Sequence, residues 1–465
     1  MTEKAAKKYV HAQWSSRWVF ILAATGSAVG LGNVWKFPYT TGVYGGGAFV
    51  LIYLLCVAAI GVPIMMAEVM LGRRGRQSPI NTMRKLARAE GASPLWGYLG
   101  WLGVLSGFLI LSYYSVIAGW TLAYFVRTAT GVFSVPVAGG MTPDGVQAIF
   151  AQFVSNPEAL LAWHTLFMIL TVVVVARGVQ SGLEKAVRWL MPALFILLLV
   201  LVGYAMNTDG FAQAMEFLFR PDFSKITAPG VLSAMGQAFF SLSLGMGAIM
   251  IYGSYLPSNA SIAGTSVTIA AADTLVALLA GIAIFPIVFA NGLEPAAGPS
   301  LIFQTLPLAF GKMAGGDFFG ALFFLLLVFA AWTSAISLIE PVVAWMAENH
   351  GLTRVMATAV AGTITWVLGI VTILSFNHWK FSFSFFGDVK ENGMFDVLDI
   401  LTANIMLPVG GIFIAIFAGW IMKRRHSEEE MAIRTPGGYD LWWFLVRFVS
   451  PVLMIFVLLH LLGLF

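Results

Sequence analysis

The sequence predicts an all-α polytopic membrane protein, and three observations carry that reading. Of the 465 residues, 59% are hydrophobic and only 10% charged, whereas a soluble chain carries roughly a quarter charged residues. Apolar runs of about 20 residues recur along the whole length, each long enough to cross a hydrocarbon core of roughly 30 Å. The cationic runs between them fall on alternate sides.

Eleven spans are read from hydropathy, over residues 14–42, 47–72, 94–129, 158–177, 186–206, 231–256, 262–290, 317–349, 353–376, 394–423 and 440–464. "KAAKK" precedes span 1, "RRGRQSPINTMRKLAR" follows span 2, "ARGVQSGLEKAVR" follows span 4 and "KRRHSEEE" follows span 10. By the positive-inside rule this face is cytoplasmic, which puts the N-terminus inside and, after eleven spans, the C-terminus outside. The pI near 9.1 therefore reflects topology, and no nucleic-acid partner is expected. "MTEKAAKKYVHAQW" contains no short apolar run ending in a small-residue cleavage site, so no cleaved signal is expected. The single cysteine, Cys56, sits in an apolar helix and reads as packing. The segments 130–157, 207–230, 291–316 and 377–393 are richer in Gly, Pro and aromatic residues, and none is long enough to hold its own core.

Spans 1 and 6 are both interrupted by glycines, as "GSAVGLGN" (26–33) and "SLSLGMG" (241–247). They lie five spans apart, and an odd offset between repeats inverts their orientation. Gly-interrupted helices at matching positions of two halves are the sequence pointer to a transporter binding site, although glycines also serve close helix packing. A broken helix frees backbone N–H and C=O groups that lipid cannot satisfy. Half-helix N-termini then favour an anion such as a carboxylate, and unwound carbonyls suit a small cation. Asn33, Ser241 and Ser243 add oxygen donors, which hard cations prefer. Asp273 is a lone acid inside span 7, a functional candidate because burying it is expensive; a packing role bonded to nearby hydroxyls is the alternative. Thr333 and Ser334 of span 8 lie one turn from the Ala330 carbonyl, where hydroxyls also commonly back-bond to their own helix.

"GSAVGLGNVWKFPY", the following "GGGAF", "FFSLSLGMG" and the "TS" of span 8 resemble the neurotransmitter:sodium symporter family, collinearly over essentially all eleven spans. The resemblance implies two inverted five-helix repeats, residues 14–206 and 231–423, with broken helices 1 and 6 and an extra helix at 440–464. It implies a single transporter domain, not an enzyme, importing a small amino acid with sodium across a bacterial inner membrane. An ion channel could also use broken helices. An enzyme would need a catalytic set, which six scattered histidines and one cysteine do not offer. The partners implied are sodium ions, the amino acid and the lipid bilayer, and a homodimer is left open.

Carried over residue by residue, the first sodium site falls on the Ala28 carbonyl, Asn33, Ser241 and Asp273, with the substrate carboxylate as a further ligand. Relatives often carry Asn at Asp273, so an extra charge is available here. The second falls on the carbonyls of Gly26, Val29 and Ala330 and the hydroxyls of Thr333 and Ser334. Two sodium ions per substrate are expected. The substrate carboxylate maps to the Gly30–Gly32 backbone and Tyr114. Gly30 stands where monoamine carriers have Asp, so an amino acid is expected. The side-chain pocket maps to Ser27, Ile110, Phe240, Ser243, Met246, Ser334 and Leu338. It holds no charge, and methionine adapts its shape, which favours bulky apolar or aromatic side chains. The outer gate maps to Lys36 and Asp399 below a lid of Tyr114 and Phe240. The inner gate maps to His11 and Glu348 beside Trp14, with His11 a departure from the family's Arg. Gly182 and Pro192 have the spacing used by bacterial relatives to unwind span 5. Chloride-dependent members need Ser where this chain has Ala277, although Tyr53, Gln237 and Ser241 match, so chloride independence is expected. Glu68 fits a packing role near span 6, and no role is assigned to Glu340.

Overall fold

The computed structural model describes residues 12–134, 141–294, 301–386 and 388–464. Among them, nine helices are long and apolar enough to cross a membrane. They are span 2 (Gly47–Gly75), span 3 (Pro94–Ala129), span 4 (Pro157–Ala176), span 5 (Val179–Ala205), span 7 (Ile262–Ala290), span 8 (Gly316–His350), span 9 (Arg354–Ser375), span 10 (Met394–Ile421) and span 11 (Gly438–Leu461). Span 1 is a tenth, made of Arg17–Ala28 and Gly32–Val43, bent by 53° at the break. Span 6 is the eleventh, in halves Ala228–Ser241 and Ala248–Ser254. Neither half is long enough to cross alone.

The span ends follow local chemistry. Asn156, Ser261 and Thr353 accept backbone N–H groups at the starts of spans 4, 7 and 9, which satisfies donors the helix leaves open. Gly351 ends span 8 in the left-handed region, where only glycine is free of strain. Span 5 begins at Val179, earlier than the predicted 186, because "VQSGLE" continues the helix as a π-helical turn.

Span 8 is the most enclosed, with 78% of its most apolar window buried, followed by span 3 at 72%. Spans 4 and 5 reach only 33% and span 11 only 28%, so their apolar faces are left for lipid. Spans 3 and 8 run along each other at the centre, and span 1 packs on spans 5, 7 and 8. Span 2 meets the second half of span 6 backbone to backbone: a Cβ on Gly72 would lie 2.0 Å from the Met250 carbonyl oxygen. Such close approach is what small residues permit where lipid gives no hydrophobic drive between helices.

The connecting segments hold more structure than their composition signals. Short helices cover Pro79–Glu90, Pro143–Val154, Phe211–Phe219 and Arg424–Met431, and a two-stranded antiparallel hairpin pairs Phe383–Phe385 with Asp388–Lys390. These are too short to bury a core of their own and cap the ends of the bundle.

Candidate functional site

The two breaks meet each other directly beside span 8. The first half of span 1 ends at Ala28, Val29 turns extended, and the second half restarts at Gly32 in a π-helical turn through Lys36. The Ser334 hydroxyl lies 3.4, 3.2 and 3.2 Å from the carbonyl oxygens of Gly26, Ser27 and Val29. A hydroxyl has one proton, so it can satisfy only one of the three. The surplus is a cluster of partly negative oxygens in a dry interior, the environment a small hard cation compensates. Thr333 packs against this turn; a Cβ at Gly26 would sit 3.2 Å from the Thr333 Cβ. Its hydroxyl is 3.1 Å from the carbonyls of Phe329 and Ala330. The five residues of the second candidate ion site thus lie together.

The first candidate ion site is built around Asp273, which is wholly buried. Asn33 Nδ2 donates to its Oδ1 at 2.8 Å and to its backbone carbonyl at 3.2 Å. Ser241 also contacts Asp273 and lies 3.2 Å from the Tyr53 hydroxyl. The Oδ2 of Asp273 has no hydrogen-bond partner. A buried ionised carboxylate with one free oxygen is expensive unless a cation pairs with it. Asn33 Oδ1 accepts from the Gly30 N–H at 3.2 Å, which ties this site to the break in span 1.

Between the two sites lies a tight cavity of about 40 Å³. Span 1 contributes Ser27, Ala28, Gly30, Leu31 and Gly32 to its wall, and span 3 contributes Ile110 and Tyr114. Span 6 adds Phe240, Ser241, Ser243 and Met246, and span 8 adds Ser334 and Leu338. No wall residue is charged. Gly30 makes the space: a Cβ there would sit 2.7 Å from Ser334 Oγ and 3.1 Å from the Tyr114 hydroxyl oxygen. The Tyr114 oxygen accepts from the Leu31 N–H at a long 3.4 Å, so both groups have capacity to spare for an anion. The half-helix starting at Gly32 adds the positive end of its dipole. Leu31, which falls within the Gly30–Gly32 backbone expected to meet the carboxylate, also lines the wall.

The break in span 6 is held open from outside it. Ser243 adopts φ +54°, a left-handed conformation uncommon for a residue with a side chain,. Its hydroxyl donates to the Ser27 carbonyl at 2.8 Å, and the Gly245 N–H donates to Glu68 Oε1 at 2.6 Å. Glu68 thereby replaces a helical acceptor that the unwound chain has lost. Ser337, which sequence reasoning passed over, receives the Ser27 hydroxyl at 2.8 Å. It is one turn from Ser334, a spacing that marks a shared face.

The candidate gates lie at opposite ends of this column. Lys36 is exposed, and its Nζ sits 4.5 Å over the Phe240 ring, within cation–π range,. Asp399 instead accepts from the Tyr113 hydroxyl at 3.2 Å; the Lys36 and Asp399 side chains make no direct ion pair. At the other end Trp14 is buried at 2% exposure, and its ring meets Tyr252 and Tyr255 edge-on at 5.2 and 5.9 Å. Its indole N–H donates to the Tyr252 carbonyl at 3.0 Å. Glu348 accepts from the Ser78 N–H at 2.9 Å and from Asn81 at 2.8 Å. His11 lies outside the described residues. The cavity is therefore closed by buried packing on the Trp14 side, while Lys36 is exposed at the other end.

A sequence model of the sodium:neurotransmitter symporter family matches residues 11–136 and 151–464. The chain belongs to the sodium:neurotransmitter symporter family. An uncharacterized sodium-dependent transporter of Bacillus subtilis, YhdH, is 38% identical over 97% of this chain and 98% of that protein. One from Haemophilus influenzae is 34% identical over 96% of each. The crystal structure of MhsT in complex with L-phenylalanine superposes with a TM-score of 0.85 at 42% identity, covering 97% of this chain and 99% of that one. The protein is thus a sodium-coupled symporter of this family with its all-α fold, a multi-pass membrane protein. The family is one of transporters.

Family membership leaves two features to be read from this chain. Glu340, wholly buried, forms an ion pair with Arg354, whose Nε donates to the Val175 carbonyl at 2.9 Å, and it accepts from the Tyr255 hydroxyl at 2.8 Å. The pair joins spans 8 and 9 to the tyrosine against which Trp14 packs. Sequence gave no sign of it, because the partner lies 14 residues away across a turn. At span 5, the helix around Gly182 is continuous, and a Cβ on Gly182 would meet the Val174 carbonyl at 2.1 Å. Close packing on span 4 accounts for the glycine in this state.

Proposed function

We propose that this symporter imports a neutral hydrophobic or aromatic L-amino acid with two sodium ions, independently of chloride. The observation that supports it most is the cavity: an uncharged wall between a buried carboxylate with a free oxygen and a carbonyl cluster around one hydroxyl. A charged substrate side chain would be desolvated there without a partner, whereas an apolar one loses nothing. The binding of L-phenylalanine by MhsT agrees with this.

In the proposed cycle, sodium enters the first site on Asp273, Asn33, Ser241 and the Ala28 carbonyl, and the second on Gly26, Val29, Ala330, Thr333 and Ser334. The substrate carboxylate lies against Gly30–Gly32 and Tyr114 and completes the first site, so ion and substrate stabilise each other. Met246 and Phe240 shift to admit the side chain, and Phe240 closes over it as Lys36 approaches Asp399. Spans 1, 2, 6 and 7 then rock against spans 3, 4, 8 and 9, parting Tyr255 of span 6 from Glu340 of span 8. The two repeats span 14–206 and 231–423. Asp273 stands close to Tyr53, Ser241 and the Ala277 position, and its charge replaces the one chloride would bring. The basic loops support a cytoplasmic N-terminus, with the chain in a bacterial inner membrane.

Uptake into proteoliposomes tests the reading. Labelled phenylalanine, tryptophan or leucine accumulates under an inward sodium gradient, and unlabelled lysine or glutamate does not compete. Failure of every neutral amino acid to accumulate would refute the assignment.

A further inference from the structure

A second cleft, of about 290 Å³, opens between spans 4, 5 and 8, and none of its wall residues lines the first cavity. One end of its wall is polar, with Arg177, Ser181 and Lys185; the other is apolar, with Trp189, Leu190 and Trp332. Ser181, Lys185 and Trp189 follow at intervals of four along span 5, so they form one stripe down the helix. Arg177, Ser181, Lys185 and Trp189 are all exposed, Trp189 at 75%.

The cleft has unmet demands for a ligand. Among the described residues, neither Arg177 nor Lys185 has an acidic partner. The nearby carboxylate, Glu184, is turned away to Ser15 and Arg188. Among the described residues, no acid lines the cleft. Deeper in, the indole Nε1 of Trp332 is completely buried yet has no hydrogen-bond acceptor. An unsatisfied N–H in such a place is costly. The N-terminus of span 5 adds the positive end of a 27-residue helix at the polar end,.

We propose that this cleft binds one anionic phospholipid from the leaflet on the face that carries the cationic loops. The geometry matches the molecule in order. Arg177 and Lys185 take the phosphate beside Ser181, whose hydroxyl donates to the Arg177 carbonyl; the Trp332 N–H donates to an acyl ester carbonyl below it, and Trp189, Leu190 and the Trp332 ring line the start of the chain. A free phosphate would use only the upper half and leave the Trp332 donor unmet. Basic clefts between helices at this level are how membranes' acidic headgroups are held.

Native mass spectrometry of the full-length protein in detergent tests the proposal, titrating phosphatidylglycerol and phosphatidylethanolamine of identical acyl chains. One phosphatidylglycerol binds in preference to phosphatidylethanolamine. Arg177→Ala with Lys185→Ala weakens the phosphatidylglycerol by roughly thirtyfold, about fivefold per charge. Arg424→Ala with Arg425→Ala, on the same face, leaves it unchanged. Arg177→Lys with Lys185→Arg retains binding, which separates lost charge from lost folding. Trp332→Phe weakens both lipids by a few-fold, since both carry the ester. Equal binding of the two lipids, or unchanged phosphatidylglycerol in the double alanine variant, overturns the site. Displacement by glycerol 3-phosphate at the lipid's own concentration overturns the lipid as its occupant.

Discussion

Asp273→Ala is the substitution whose effect the geometry bounds most tightly. The carboxylate is wholly buried, with one oxygen taken by Asn33 at 2.8 Å and the other without any partner. In the proposed ion-bound state the free oxygen pairs with sodium, so the variant leaves a buried cation without its counter-charge and Asn33 Nδ2 without its strongest acceptor. Removing one member of a buried, hydrogen-bonded charge pair costs about 3–5 kcal/mol. At about 1.4 kcal/mol per tenfold, sodium affinity falls by at least two orders of magnitude. Asp273→Asn behaves differently, because it keeps an oxygen for Asn33 or sodium and loses only the charge. Its loss is set near 1.5 kcal/mol, about tenfold, the lower end for hydrogen bonds to charged groups. The assay is sodium-titrated binding of labelled phenylalanine to purified protein, with thermal unfolding of each variant as the fold control. Wild-type sodium dependence in the alanine variant would refute the first ion site. Equal losses in the alanine and asparagine variants would show that charge alone matters and that the Asn33 contact does not.

Other perturbations read separate parts of the site. Gly30→Ala puts a methyl 2.7 Å from Ser334 Oγ and 3.1 Å from the Tyr114 hydroxyl, so phenylalanine binding falls to background while the thermal transition stays within a few degrees; retained binding would remove the carboxylate from Gly30. Met246→Ala enlarges the cavity and, at about 1–3 kcal/mol for a size change in an apolar pocket, shifts the tryptophan-to-leucine preference at least about fivefold in a competition panel. Trp14→Ala removes a buried ring that seals one end, worth about 3–5 kcal/mol. The closed state on that side falls by two or more orders, read as faster thiol labelling of Ser15→Cys, with Cys56 buried at 8% exposure and contributing little background. Replacing chloride with gluconate leaves sodium-driven uptake unchanged, and a chloride requirement would reassign the role of the Asp273 charge.

The fold was legible because lipid imposes it. Every unbroken span announces itself by about 20 apolar residues, and span 3 and span 7 have the ends that hydropathy gives them, 94–129 and 262–290. The breaks were legible for the opposite reason: "GSAVGLGN" and "SLSLGMG" are wrong for lipid and so point to a cavity. What the sequence did not carry are pairings across distance. Glu340 reads as an unexplained buried acid until Arg354 is seen against it. Tyr113, beside the predicted Tyr114, is anonymous until its hydroxyl reaches Asp399. The helices inside the loops, such as Pro143–Val154 and Phe211–Phe219, are hidden because short amphipathic turns lack the length that hydropathy windows detect.

The two ends of the column differ in a way that bears on coupling. At the Trp14 end, closure is made of direct contacts: a buried ring, two indole and backbone hydrogen bonds to span 6, and the Tyr255–Glu340–Arg354 chain behind them. At the Lys36 end nothing comparable is formed among the described residues, since Lys36 rests on Phe240 and Asp399 on Tyr113. Closing the Lys36 end therefore needs energy from elsewhere, and Phe240 is the element that can deliver it. Phe240 is both a wall of the substrate cavity and the seat of the Lys36 ammonium, while its neighbour Ser241 reaches Asp273. A ligand that draws Phe240 inward brings Lys36 with it toward Asp399. In the proposed cycle, sodium at Asp273 fixes Ser241 and hence the end of that half-helix. A ligand shifts an equilibrium only by its differential affinity for the two states, and here ion and substrate both act on one short segment, Phe240–Ser243. That shared segment gives a physical reason why neither sodium nor the amino acid alone should complete closure at the Lys36 end.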